Sequence, residues 1–358
     1  MTNNFTDLRK FWKNKKVFLT GHTGFKGSWF SILLNLLGAK IVGYSLKPDK
    51  KFSLFYLANL NKEINASLIG DIMDYNKLKK SILKFRPDFV VHMAAQSLVR
   101  ESYIDPKYTY EVNTMGTVNI LNILNEINFI KSALIVTTDK VYRNNNKKNF
   151  YKENDVLGGL DPYSNSKSCA ELVVSSYNHS FLKKKNISAI TARAGNVIGG
   201  GDFSADRILP DYFRSLFKTK NLILRSPNSI RPWQHVLDPL YGYLLLLMKL
   251  YKKQKITNDS FNFGPNKSSN KSVNDVINLV NKDFNNSVRV IKKNNNSKYY
   301  YESKILMLNS DKSKKILNWQ PKYNLEQSIK LTSFWFKEFL AKKNILKVTQ
   351  KQIMNYFH

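Results

Sequence analysis

The chain has 358 residues, room for one large core or two smaller ones, and with 42% hydrophobic and 13% aromatic residues it is not generally disordered. A single cysteine, Cys169, excludes an internal disulfide, and no spacing of Cys and His suits a metal ion. The net charge of +31 would fit a nucleic-acid surface, an anionic substrate or a lysine- and asparagine-biased composition.

The basic residues decide among these by their placement. Lys13, Lys50, Lys84, Lys147, Lys183, Lys267, Lys292 and Lys343 are spread along the chain and not gathered in one stripe. The tracts NNNKKN and KKNNNSK read as biased surface loops, so no nucleic-acid partner is expected.

In chain order, apolar runs predict strands at Val17–Thr20, Ile41–Ser45, Ser67–Gly70, Phe89–Met93, Ala133–Thr137 and Ser188–Arg193. Helical periodicity fills the gaps at Ser28–Gly38, Tyr75–Phe85, Tyr108–Ile127 and Tyr163–Leu182. Strands alternating with helices at this spacing predict a Rossmann-like, doubly wound α/β fold with a parallel sheet covered on both faces. After Gly195 the rhythm breaks into loop-rich sequence, GNVIGGGDFSADRILPD, followed by short elements and prolines. The expected division is a dinucleotide-binding domain at 12–195 with a return to the sheet at about 232–265. A smaller substrate-binding domain takes 196–231 and 266–340, and a basic tail of uncertain order takes 341–358. The greasiest run, LYGYLLLLMKL from Leu240 to Leu250, is too short to span a bilayer and holds a lysine. With no signal-peptide pattern at the start, a cytoplasmic location without membrane association is expected.

The first strand leads into LTGHTGFKGSWF. Gly21, Gly24 and Gly27 therefore sit on a strand–turn–helix junction. There the first glycine allows a tight turn, the second lets a pyrophosphate approach the backbone, and the third lets the helix pack close to its strand. Free amides at the helix start, with its dipole, favour the anion. Lys26 in this loop reads equally as a solvated helix-start residue or a phosphate contact. The second strand ends GYSLKP, without the acid that would bind a ribose 2′-hydroxyl, so the choice between NAD and NADP is open on residue chemistry.

Further on, DPYSNSKSCAEL places Tyr163 and Lys167 four apart at a helix start, on one face. An ammonium beside a phenol favours the phenolate and would give a base usable near neutrality. His22 reads as loop structure, His235 as a packed histidine, and Cys169 as a buried small apolar group.

The TGxxGxxG of Thr20–Gly27 and the YxxxK of Tyr163–Lys167, together with GHTGFKGSW, AAQSLVRESY, TTDKVY, DPYSNSK, RAGNVIGGGD and IRPWQHV, resemble the extended short-chain dehydrogenase/reductase family. Within it the chain is similar to the nucleotide-sugar 4,6-dehydratases, nearest the branch acting on CDP-glucose, from about residue 12 to 340. The resemblance implies an NAD-dependent hydro-lyase of deoxysugar and surface polysaccharide synthesis, with a CDP-sugar substrate and a homodimer or higher homo-oligomer. It implies a catalytic set of Thr138, Asp139, Lys140, Tyr163 and Lys167. Asp139 would be the acid toward the departing 6-hydroxyl. Relatives acting on dTDP-glucose carry a glutamate where this chain has Lys140, which leaves the C5 base open. NAD would contact Gly21, Thr23, Gly24, Phe25, Lys26, Gly27, Asp71, Ile72, Ala94 and Ala95 besides Tyr163 and Lys167. The substrate would contact Gln96, Asn196, Arg207 and Arg231. A 4-epimerase shares the Tyr–Lys pair but needs no acid–base pair at C5 and C6, and a sensor without catalysis need not keep Thr138, Tyr163 and Lys167.

Overall fold

The computed structural model describes residues 5–48, 52–146, 149–252, 260–292 and 303–358. Lys50, Lys147 and the asparagine–lysine tract after Lys292 lie outside these residues. Seven parallel strands form the main sheet: β1 (Lys16–Thr20), β2 (Lys40–Ser45), β3 (Ala66–Ile69), β4 (Phe89–His92), β5 (Ser132–Val136), β6 (Ser188–Ala194) and β7 (Ser260–Phe263). Their order across the sheet is β7-β6-β5-β4-β1-β2-β3. From β1 the chain winds first one way to β2 and β3, then the other way from β4 outward. The direction therefore reverses between β1 and β4, and that crevice is where a parallel sheet of this kind takes its ligand.

The sheet forms because its strands are apolar on both faces. In β1, Val17 and Leu19 join a core with Trp12, Trp29 and Phe30, while Phe18 joins a second core with Ile82, Ile120 and Leu124 on the opposite face. Three helices matter for the site: α1 (Phe25–Leu36), α2 (Pro162–Tyr177) and α3 (Leu237–Tyr251). The leucine run expected to be too short for a membrane is α3, buried almost all round against the first core. No helix among the described residues is long and apolar enough to cross a membrane.

The expected helix at Tyr108–Ile127 runs as Pro106–Tyr110 and Gly116–Glu126, joined by a π turn at Glu111–Met115. The turn aims the Asn113 amide at the Gln96 carbonyl (2.9 Å) and the Ser166 hydroxyl (3.0 Å), locking this segment to α2. After β6 a second region gathers over the strand ends. It contains a three-stranded sheet of Asn196–Ile198, Ile230–His235 and Asn270–Ser272, and the helices Ile208–Phe217 and Val273–Asp283.

The tail, expected to be of uncertain order, contains the helix α4 (Ile345–Phe357). Asn344 caps it by accepting from the Lys347 amide (3.0 Å), and Ile345, Ile353 and Tyr356 are buried. Its exposed basic face had masked an apolar stripe that packs on α1.

Candidate active site

The glycine loop turns where β1 enters α1. Gly21 has a φ of 75°, and a Cβ there would lie 2.7 Å from the Ala94 amide nitrogen on the β4 side of the crevice. A Cβ on Gly27 would lie 2.1 Å from the Gly21 carbonyl oxygen, so only glycine lets α1 start this close to its strand. Gly24 is the N-cap of α1 and offers no side-chain bond, which leaves the first-turn amides of the helix to an incoming anion. The Thr20 hydroxyl accepts from the Met93 and Ala94 amides (both 3.1 Å) and pins β1 to β4. Thr23 bonds the Ser45 hydroxyl (2.8 Å) and so ties the loop to the end of β2.

These elements wall a cleft of about 470 Å³. Gly21, Thr23, Gly24, Phe25, Lys26 and Gly27 line one end, as expected from the sequence. Asp71, Ile72, Ala94 and Ala95 line it further along, and Tyr163, Lys167 and Arg207 reach it from the catalytic side. A dinucleotide fits this donor set: bare helix amides for a pyrophosphate, a glycine cradle that any Cβ would fill, and small residues after β4. Asp71 spends one carboxylate oxygen on its own turn, at the Met73 amide (2.9 Å).

The reacting groups converge from two elements. At the end of β5, Thr138 caps a 3₁₀ turn at Asp139–Val141. Its hydroxyl donates to Asp139 Oδ1 (3.0 Å) and lies near enough to Tyr163 to oppose the rise in its pKa. Asp139 is 2% exposed, and its other oxygen has no partner. Burial raises its pKa, against the opposing pull of Lys140, the Thr138 bond, Arg231 and Lys26. The result is a buried carboxyl group that holds its proton more tightly than an exposed one, with one oxygen free. The second element is α2, begun by Pro162 and capped by Asp161, which accepts from the Ser164 amide (2.9 Å).

Burial works against the expected phenolate. Burial pushes Tyr163 up to about 12, and the groups pulling it down are Thr138 and Arg207. Lys167 shares the helix face as expected, but its Nζ donates to the Val136 carbonyl (3.4 Å). Burial, then Lys26, brings Lys167 down to about 8, while Glu171 opposes them. Desolvation of the phenol outweighs Thr138 and the Arg207 charge.

Lys26 is not a solvated helix-start residue. Burial and Arg207 push its ammonium down to about 8, and its field reaches Asp139, Asp202 and Lys167. Arg207 spans the cleft rim, donating to Asp202 (3.0 Å) and to the Ser97 hydroxyl (3.0 Å). Arg231 is buried, donates to the Ile230 carbonyl (2.9 Å) and acts electrostatically on Asp139. Gln96 departs from the expected sugar contact: its side chain is held inside its own loop by the Leu98 backbone and the Thr109 hydroxyl (2.9 Å). Asn196 is half-buried on the strand beside Trp233. Lys140 is half-buried beside Asp139.

His22, buried, meets the Ser67 hydroxyl (2.7 Å) as loop structure. His235 is packed between Trp29 and Tyr323, and burial holds it down at about 3. Cys169 is half-buried rather than buried, with its Sγ 3.6 Å from Asn165 Oδ1.

Sequence reading missed the buried ion pair Glu171–Arg193 (2.8 Å) behind the site. The only signal for it was an acid one turn after Lys167.

A doubly wound parallel sheet with Tyr163 and Lys167 on the helix at its strand ends defines an extended short-chain dehydrogenase/reductase. The chain belongs to the GDP-mannose 4,6 dehydratase family, whose model matches residues 18–332. The CDP-glucose 4,6-dehydratase of Salmonella typhimurium is 40% identical over 97% of this chain and 98% of its own length. The dTDP-D-glucose 4,6-dehydratase of Homo sapiens is 26% identical over 94% of each chain. Among solved structures, the UDP-glucose 4-epimerase of Thermotoga maritima with UDP-glucose superposes with a TM-score of 0.79 at 21% identity, covering 91% of this chain and 99% of its own. The dTDP-glucose 4,6-dehydratase of Bacillus anthracis in complex with NAD gives 0.76 at 22% identity, covering 93% and 99%.

Proposed function

We propose that the chain converts CDP-glucose to CDP-4-dehydro-6-deoxyglucose and water, with NAD held in the cleft. The observation that carries this reading is Asp139, a buried carboxyl with one free oxygen, bonded to Thr138 at the strand end that faces Tyr163. A site that only oxidises and reduces C4 has no use for such an acid, which disfavours an epimerase. The near-full-length likeness to the Salmonella relative supports the cytidine nucleotide.

When bound, NAD would supply the hydride carrier between C4 and C6, and the proton removed from C5 would go back to C5 as C6 receives the hydride. The glycine loop would hold its pyrophosphate, Asp71 and Ile72 its adenosine end, and Ala94, Ala95 and Lys167 its other ribose. Tyr163 takes the proton of the sugar 4-hydroxyl, helped by the Thr138 and Arg207 fields that favour its phenolate. The 4-ketone acidifies C5–H. Lys140 removes that proton, the C5–H electron pair becomes the C5–C6 double bond, and Asp139 protonates the departing 6-hydroxyl as water. Arg207, at the rim, and Arg231 suit the substrate diphosphate, and Asn196 lies on the strand paired with the one that carries Arg231.

In this reading the chain works in the cytoplasm in deoxysugar synthesis for surface polysaccharide. It pairs with a second copy through the helices flanking the sheet, where Met115, Leu172 and Phe181 are exposed.

The test is incubation with CDP-, dTDP-, UDP- and GDP-sugars and substoichiometric NAD. CDP-glucose deuterated at C4 should yield a 4-keto-6-deoxy product carrying the label at C6. Stoichiometric NADH, or turnover confined to another nucleotide, refutes the reading.

A further inference from the structure

The Glu171 carboxylate takes no part in these proton transfers, yet it touches both elements that carry them. On α2 it follows Lys167 by four residues and Tyr163 by eight, so the three share a helix face. Its side chain is 3% exposed and that of Arg193 4%. Oε1 accepts from the Thr137 hydroxyl and from Arg193 Nε (3.0 Å). Oε2 accepts from the Thr191 hydroxyl (2.6 Å) and from Arg193 Nη2 (2.8 Å). Arg193, on β6, spends Nη1 on the Tyr142 hydroxyl (2.8 Å) and the Glu153 carbonyl (3.0 Å). The Thr137 donor is the residue directly before Thr138, so one carboxylate joins the catalytic helix to the catalytic strand end.

The carboxylate also supplies charge. The groups facing the Lys167 ammonium are Lys26 from α1, His92 from the end of β4, and Glu171 from its own helix. His92 is neutral, held down at about 3 by burial, and Lys26 opposes the ammonium. Among the described residues, Glu171 is the anion acting on Lys167, and it favours the charged form.

We propose that Glu171 is a positioning residue of the reaction: it clamps the strand end bearing Thr138 to the helix bearing Tyr163 and Lys167, and places an anion one helical turn from the Lys167 ammonium. This rests on the reading that Tyr163 and Lys167 handle the sugar hydroxyl proton.

Three variants test it. Thr137→Val removes one donor and leaves the ion pair intact. Glu171→Gln removes the charge but strands Arg193 and can fail to fold. Glu171→Gln combined with Arg193→Met removes both charges, which buried pairs tolerate better, and serves for the pH measurements. With CDP-glucose, Thr137→Val should lower kcat about tenfold or more with KM nearly unchanged, as misplacement of reacting groups does. The double variant should move the alkaline limb of kcat down by about one pH unit, and the Lys167 titration followed by ¹³C-lysine NMR should move with it. A Thr137→Val enzyme with parental kcat overturns the clamp. A double variant with parental alkaline limb and parental Lys167 titration overturns the charge effect, even if its melting temperature falls. A parent chain that does not turn over CDP-glucose refutes the functional reading instead, and the Lys167 titration still decides the role of Glu171.

Discussion

Asp238, the second residue of α3, is fully buried where the tail helix docks. Its Oδ1 accepts from the Lys322 amide (2.8 Å) and the Tyr356 hydroxyl (2.9 Å), while Oδ2 has no partner. Burial pushes its pKa from 3.8 up to about 7 against those bonds. A pKa raised on folding stabilises fully below the unfolded value and loses that stabilisation as pH rises through the folded value. Over the whole window the loss is roughly 4 kcal/mol, from three units at about 1.36 kcal/mol each. About 2.6 kcal/mol of it falls between pH 5 and pH 8.

The parent curve alone will not display this loss. Burial depresses His22 to about 4 and His92 and His235 to about 3. Their stabilisation is present above 6.5 and lost as pH falls, so it opposes the Asp238 trend over the same range. The difference between parent and Asp238→Asn cancels the histidines. The asparagine imitates the protonated carboxyl, so urea unfolding should give similar stabilities near pH 4. At pH 8 the variant should be the more stable by a few kcal/mol. A parent-to-variant difference that stays constant from pH 5 to pH 8 refutes the reasoning, because Asp238 would then not titrate in the folded protein in that range.

Tyr163→Phe should lower kcat by about 10²–10⁴-fold, as loss of positioned proton transfer does. Substrate affinity should change by only about 1 kcal/mol, read from steady-state kinetics. Asp139→Asn keeps size but cannot donate as an acid, so dehydration should slow by about 10²-fold or more while C5 proton exchange with solvent persists. Lys140→Met should abolish that exchange if Lys140 is the base. Gly27→Ala should cost about 3 kcal/mol, because its Cβ would meet the Gly21 carbonyl at 2.1 Å. Gly24→Ala, where the same atom is 3.3 Å away, should cost clearly less than Gly27→Ala.

The sheet was legible because parallel strands buried on both faces are written as unbroken apolar runs, and each predicted strand lies within a residue or two of its observed bounds. Tyr163 and Lys167 were legible for a similar local reason, since helix spacing alone puts them on one face. Their electrostatic setting was not, because it depends on burial under segments distant in sequence, and burial opposes the shift expected for the phenol. Glu171 and Arg193 lie on different elements 22 residues apart, and no periodicity links a helix acid to a strand arginine. Gln96 looked like a substrate contact from its place after β4, yet its own loop consumes its polar atoms through backbone groups that sequence does not display. The tail helix was hidden by the same lysine bias that gives the chain its charge.

The path of the chain after β6 bears on how the molecule can move and be cut. From Ala194 it leaves the sheet for Asn196–Ile198, comes back as α3 and β7, goes out again to Asn270–Ser272, and returns at the helix Asp311–Leu317 beside β7. Among the described residues, the region above the cleft is thus stitched to the sheet by repeated crossings. Any opening that admits a sugar nucleotide must be shared among several short connections, each bending a little. A protease that nicks one of them should leave a particle whose fragments stay together until denaturant separates them.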